Sequence, residues 1–253
     1  MQTLISAIAK LTLTLILVQA CVVEAAEIKV WTARALATVL YKIGAQFENS
    51  TGNKLAITEG LRDEFIRRIE AGEAFDVLIL ILPPPVIDVL IKQGKILPDT
   101  LRNLARSGMG VEVRAGAPKP DITTVEAFKR ALLDARSIAY LRVGGGEYIA
   151  GLVERLGIAE ALKPKTIRPM TDIVSNLVAK GEVELGMVVI TQIITTPGVE
   201  LVGPLPPELQ SYLVFTAGVS ANSKAPDAAR ALIKFLTGPT AIPVIKSQGM
   251  EPE

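Results

Sequence analysis

Histidine is absent from the 253-residue chain, and cysteine occurs once, at Cys21. The first absence removes the imidazole general base. The second leaves no disulfide and, beyond the N-terminal leader described below, no thiol nucleophile. Together they empty the usual zinc donor set. Charge of one sign is lacking as well. Lys and Arg number 27 against 26 Asp and Glu, a net charge of +1. That leaves no positive surplus for a phosphate backbone, and nucleic acid is not expected as a partner. A Gly-x-Ser-x-Gly nucleophile elbow is missing too. These gaps argue against an enzyme. Carboxylates such as Asp76 and Glu147 remain, but no pair of them stands out. No catalytic residue, cofactor or metal site is expected.

Long apolar runs are also scarce. The one at the N-terminus, Leu11 to Val23, follows Lys10 and precedes the small residues Ala25 and Ala26. It falls short of the roughly 20 residues that a bilayer span takes. Residues 1–26 therefore read as an export signal cleaved near Ala25 or Ala26, which predicts a periplasmic protein. Two alternatives stay open on the same residues. One is a lipoprotein attached through Cys21, on the loose box Val18-Gln19-Ala20-Cys21. The other is a retained membrane anchor.

What the chain does have is 49% apolar residues, enough for a large core, and a pattern that occurs twice. Ile69 to Leu80 and Val178 to Val189 each read as the end of an amphipathic helix, then Gly-Glu, then an apolar strand. Glycine suits the position just past a helix, because it enters the left-handed region without a Cβ penalty. The apolar runs lack alternation, as strands do when helices cover both faces of a parallel sheet.

Around each copy, strands and helices alternate in short units. Strands are predicted over 27–31, 54–58 and 76–82, with helices over 34–47, 62–71 and 85–93. The alternation restarts with a helix over 124–135 and a strand over 137–141. Gly144-Gly145-Gly146 and a helix to about 156 follow, then a short strand at Ile167, a helix over 172–179 and a strand over 184–190. Residues 108–113 and 213–219 read as extended connectors. Two helices close the chain: one with Pro226 near its start, Ala229, Leu232, Ile233 and Leu236 on one face and Gly238-Pro239 as its stop, and one over about 240–247. The expected fold class is α/β, in two lobes, each a mostly parallel sheet flanked by helices. The first lobe would comprise 27–108 plus 213–253 and the second 109–212, hinged by two crossing segments. Two lobes make a cleft, a common place for a small ligand.

Several stretches carry a family resemblance. They are Ile69 to Ile79, Ile91-Lys92-Gln93-Gly94-Lys95-Ile96, Leu104 through Pro120, Val178 to Gly186, Pro197 through Pro206, and Ala231-Leu232-Ile233-Lys234-Phe235-Leu236 to Pro252. On these the chain resembles the type II periplasmic solute-binding proteins, in the molybdate-binding branch that serves ABC importers. The resemblance implies export, a periplasmic-binding-protein-like fold that closes on a small anion, and delivery to an inner-membrane ABC permease by a monomer. In that family the oxyanion is held by hydroxyl residues and amides in loops after the strands. The corresponding loops here are Trp31-Thr32-Ala33-Arg34-Ala35, Glu59-Gly60-Leu61-Arg62-Asp63 and Leu141-Arg142-Val143-Gly144-Gly145-Gly146-Glu147. They carry no serine, and only Thr32 keeps a hydroxyl at a matching place. The ligand is thus an oxyanion such as molybdate, or a carboxylate, and loss of binding in a sensory or scaffold protein is the alternative.

Arg34, Arg62 and Arg142 each follow a strand, and a guanidinium matches a carboxylate bidentately. With Thr32, the amides of Gly145 and Gly146, Tyr148 and Thr171, they form the candidate ligand set. Other readings stay open for each. The arginines could simply pair with Glu59, Asp63 or Glu147, and the glycines could form a plain turn. Thr171-Asp172 could cap the next helix, Tyr148 could be packing, and Trp31 could belong to the core.

Overall fold

The computed structural model describes residues 25–171 and 173–253. The proposed export signal lies almost wholly outside these residues, as does Asp172. Strand β1 (Glu27–Thr32) is followed by helix α1 (Arg34–Thr51), β2 (Lys54–Glu59), α2 (Arg62–Glu70), β3 (Val77–Ile81) and α3 (Pro84–Lys92). The long strand β4 (Arg102–Arg114) leads into α4 (Val125–Asp134), β5 (Ile138–Ala139), α5 (Gly145–Arg155), α6 (Ala159–Leu162) and β6 (Thr166–Ile167). Then come α7 (Val174–Lys180), β7 (Leu185–Val189), α8 (Ile190–Thr195) and β8 (Val199–Pro204). Strand β9 (Tyr212–Val219), α9 (Pro226–Leu236), α10 (Ala241–Ser247) and β10 (Glu251–Pro252) complete the chain.

The sheet order is β2-β1-β3-β9-β4-β7-β5-β6, with β8 and β10 also paired to β4. Strands β1, β2 and β3 run parallel, and so do β5, β6 and β7. The pairings of β9 and β4 are antiparallel, as are those of β8 and β10 with β4. Each half is thus mixed rather than purely parallel, because the crossing strands run through both.

The two apolar repeats are β3 and β7, and both are buried except at their last residue. Their unbroken apolar character has a direct cause. Val77 and Ile79 enter one cluster with Ile28, Leu36, Phe47 and Leu232, while Leu78 and Leu80 enter another with Trp31, Phe65 and Phe75. In the second half, Leu185 and Met187 pack with Phe128, Ile138 and Leu152, while Val188 packs with Val174 and Val178. Both faces of each strand are covered, so both need apolar side chains. Gly72 and Gly181 after the preceding helices take φ of 82° and 76°, the left-handed turn the sequence called for.

Strand β4 spans both halves. Where it leaves the first, Gln210 binds it to the other crossing segment. Its Nε2 donates to the Met109 carbonyl at 3.0 Å, and its Oε1 accepts from the N–H of Met109 at 2.8 Å and of Ser211 at 2.9 Å. A Cβ on Gly108 would lie 2.9 Å from that amide, so glycine is what lets it approach. Replacing Gln210 by alanine is expected to lower stability by about 1–3 kcal/mol through lost and unsatisfied hydrogen bonds. Amide exchange at Met109 and Ser211 should rise more than at β3, which hydrogen-exchange mass spectrometry would read.

Candidate functional site

The strand directions define a cleft. Strands β1 to β3 run in the same sense as β4, so their carboxyl ends point toward the second half. Strands β5 to β7 run against β4, so theirs point back toward the first. The last residue of β3, Ile81, is level with Phe215 and through it with Ala105. The last residue of β7, Val189, is level with Met109. From Ala105 to Met109 is four steps of strand, roughly 13 Å. The loops after both sets of strands thus face one gap, the position where open α/β sheets take ligands.

Lobe-one loops bring Thr32, Arg34 and Arg62 to this gap. Gly60 N–H donates to the Thr32 carbonyl and Ala33 N–H to the Ile79 carbonyl, which ties the three loop starts together. Arg34 opens α1 with its side chain 88% exposed, 3.8 Å from Glu59. Glu59 also accepts from the Tyr41 hydroxyl at 3.0 Å, a bond that holds the phenol above its ordinary pKa range. Arg62 donates to Asp63 at 2.8 Å. Exposed pairs of this kind contribute about 0–1 kcal/mol, so an anion can displace them cheaply. Thr32 is fully buried, and its hydroxyl donates to the Ala33 carbonyl at 3.3 Å. Its side chain serves the loop in this conformation.

On the second lobe, Arg142 is exposed and has no ion pair among the described residues. Its N–H donates to the Pro169 carbonyl at 2.9 Å, and Tyr140 N–H donates to the Ile167 carbonyl. The loops after β5 and β6 are therefore laced side by side. The glycine run is a built turn: Gly144 has φ of 60°, and a Cβ on Gly146 would lie 1.9 Å from the Leu141 carbonyl oxygen. The Gly146 N–H donates to the Val143 carbonyl at 3.2 Å, so that amide is spent within the turn. Gly145 packs flush on Met109, where a Cβ would meet the sulfur at 3.0 Å. The Tyr148 hydroxyl is committed to the Leu209 carbonyl at 2.9 Å, beside the second crossing segment. Thr171 is exposed, and its carbonyl accepts from Ile173 N–H. It does not cap α7, whose N-cap is Ile173 with no side-chain bond.

Sequence reasoning missed two residues here. Arg168, just past β6, holds its guanidinium 5.1 Å above the Tyr140 ring, and its Nε is buried without an acceptor among the described residues. A polar residue just after a two-residue strand gives no periodic signal. Glu112 in β4 is fully buried and accepts from Ser175 Oγ at 2.9 Å, while Ser175 accepts from Gln192 at 3.2 Å. It anchors α7 and α8, the helices behind the second-lobe loops. Gly186 makes its room, since a Cβ there would lie 2.3 Å from the carboxylate. Trp31 is core: it stacks at 5.1 Å on both Phe65 and Phe75, under Arg68. A separate furrow of about 320 Å³, lined by Asp99, Arg102, Arg230 and Lys234, lies at the amino-terminal end of β4, off the strand ends.

The family model described as bacterial extracellular solute-binding protein matches residues 28–251. A Pseudomonas protein named aconitate isomerase is 30% identical over 217 residues, covering 83% of this chain and 82% of its own. The molybdate-binding protein ModA of Azotobacter vinelandii is 27% identical, covering 91% and 92%. Among solved structures, a substrate-binding domain from Clostridium difficile attributed to a molybdenum ABC transporter superposes with a TM-score of 0.76. It is 19% identical, with 90% of this chain and 99% of that one covered.

Proposed function

The chain belongs to the bacterial extracellular solute-binding proteins, and from that membership we propose that it captures a small anion for an ABC importer. It would act as a periplasmic monomer, freed of its export signal, that hands its ligand to an inner-membrane permease. The lobes divide at 108/109 and 212/213 in this reading. The observation that carries it is the opposition of strand carboxyl ends across the middle of β4, with Arg34, Arg62 and Arg142 on the facing loops. An anion held by both sides would favour the closed form by its extra affinity for it, and closure would swing on β4 and β9. Both an oxyanion such as molybdate and a carboxylate satisfy the arginines.

A thermal-shift panel of molybdate, tungstate, sulfate, phosphate, citrate and trans-aconitate tests this. At a hundred times its Kd, a ligand stabilises the native state by about 2.7 kcal/mol, which for 200–250 residues raises the melting temperature by roughly 5–10 °C. One such response supports capture. A flat panel would favour a protein of this fold that has lost binding.

The Pseudomonas relative favours a second reading, isomerisation of a small tricarboxylate. Proton movement would then fall to a carboxylate such as Glu59 or Glu147. Asp76 is unsuited, because its oxygens accept from Lys29 N–H at 2.8 Å and Ser223 Oγ at 2.6 Å. Incubation with trans-aconitate followed by proton NMR separates capture from turnover.

A further inference from the structure

We propose that the cleft selects a small di- or tricarboxylate borne on a hydrocarbon skeleton over a bare tetrahedral oxyanion, and that Arg168 is a further ligand-holding residue. The inference rests on the cleft reading above and narrows it. Two observations carry it. The first concerns apolar exposure. Ten large apolar side chains are exposed among the described residues, and four of them, Leu61, Val143, Met170 and Ile173, stand on loops that follow β2, β5 and β6. Leu61 is 76% exposed and Met170 59%. Three of the four lie within two residues of a guanidinium: Leu61 precedes Arg62, Val143 follows Arg142, and Met170 lies two residues past Arg168. Exposed apolar groups on the loops that carry the arginines offer a surface to be covered when the site is in use. A tetrahedral oxyanion offers them nothing to cover. A carbon skeleton with carboxylates at its ends meets both kinds of group at once.

The second observation is Arg168 itself. Buried donors are nearly always paired, yet its Nε has no acceptor among the described residues. The plane of the group is set by Tyr140 at 5.1 Å, and Tyr140 is 5% exposed. A guanidinium fixed on an aromatic face presents its fork to a planar carboxylate with little ordering cost. The backbone bond from Arg142 to Pro169 keeps Arg142 and Arg168 on adjoining loops, so two carboxylates of one molecule can be taken together on this lobe. Arg62 answers from the other side.

Isothermal calorimetry with citrate and tricarballylate against molybdate and sulfate tests the inference. The organic acids should bind at least 100-fold tighter, with a negative heat-capacity change from the covered apolar surface. Arg168→Lys keeps the charge and loses the fork, so it should weaken tricarballylate at least tenfold with the ligand-free melting temperature unchanged. Met170→Ser should reduce tricarballylate affinity and shrink the heat-capacity change, leaving any weak sulfate response as it was. Molybdate bound as tightly as the organic acids would overturn this selectivity while leaving anion capture standing. Undiminished tricarballylate affinity in Arg168→Lys would overturn the assignment of Arg168. Silence toward every anion would sink both the selectivity and the capture reading.

Discussion

Replacing Arg34, Arg62 and Arg142 together by alanine is expected to abolish the anion response of the wild-type chain, a loss of 100-fold or more in affinity. Charge-assisted hydrogen bonds contribute about 1.5–3 kcal/mol each, and each 1.4 kcal/mol is tenfold. Losing even two of three such contacts therefore exceeds 100-fold. The folded state should scarcely notice. Arg34 and Arg62 pair only with the exposed Glu59 and Asp63, and Arg142 has no ion pair among the described residues. A thermal melt without ligand should shift by less than a few degrees, and calorimetry with the best anion from the panel should show no heat. Retained affinity would mean that the anion is held elsewhere, or that the arginines face bulk solvent in the closed form.

Gly146→Ala should have the largest effect on the folded state. The added methyl carbon would sit 1.9 Å from the Leu141 carbonyl oxygen and 2.5 Å from its carbon. Both are backbone atoms, so no side-chain rotation relieves the clash. The turn from β5 into α5 would have to open, withdrawing Gly145 from Met109 and pulling Tyr148 from the Leu209 carbonyl. Overpacking of this kind costs about 3 kcal/mol or more where nothing can yield. For a chain of this size, that is a fall of roughly 6–12 °C in melting temperature. Gly144→Ala is the control. Its φ of 60° is unfavourable for alanine, but no atom lies within 4 Å of the new Cβ, so a loss of about 1–2 kcal/mol is expected. Equal losses at the two positions would show that strain, not the clash, dominates this turn.

Some elements were legible in the chain and others were not, for identifiable reasons. Helix α9 is legible because Pro226 lies at its start, Gly238-Pro239 stops it and four apolar residues line one face. The strand expected over 137–141 shrank to Ile138–Ala139. Tyr140 still donates to the Ile167 carbonyl, but beyond it the chain leaves the ladder for the glycine turn. Helix α8 has no counterpart among the expected elements, which run the preceding strand to Ile190. Its sequence, Ile190-Thr191-Gln192-Ile193-Ile194-Thr195, is rich in β-branched residues, and packing overrode that preference. Gly110 shows the packing: a Cβ there would meet Ile190 at 2.8 Å and Ile193 at 3.2 Å. Strand β4 was seen only over 108–113, because its first half is an edge strand paired with the short β10 and carries Arg102 and Arg106 outward.

The chain alone settled that there are two α/β halves. Helix period, glycine stops and unbroken apolar runs are local signals, and each half writes them independently. It also placed arginines after strands, since residues following a strand are fixed by chain order. Which of those residues share one gap was decided in three dimensions, by β4 running with one set of strands and against the other. The same step buried Glu112 under α7 and α8, turned the Gly146 amide inward and left Arg168 beside Tyr140. Apart from the local glycine turn, such outcomes depend on contacts between segments distant in the chain, and no periodicity along the chain encodes them.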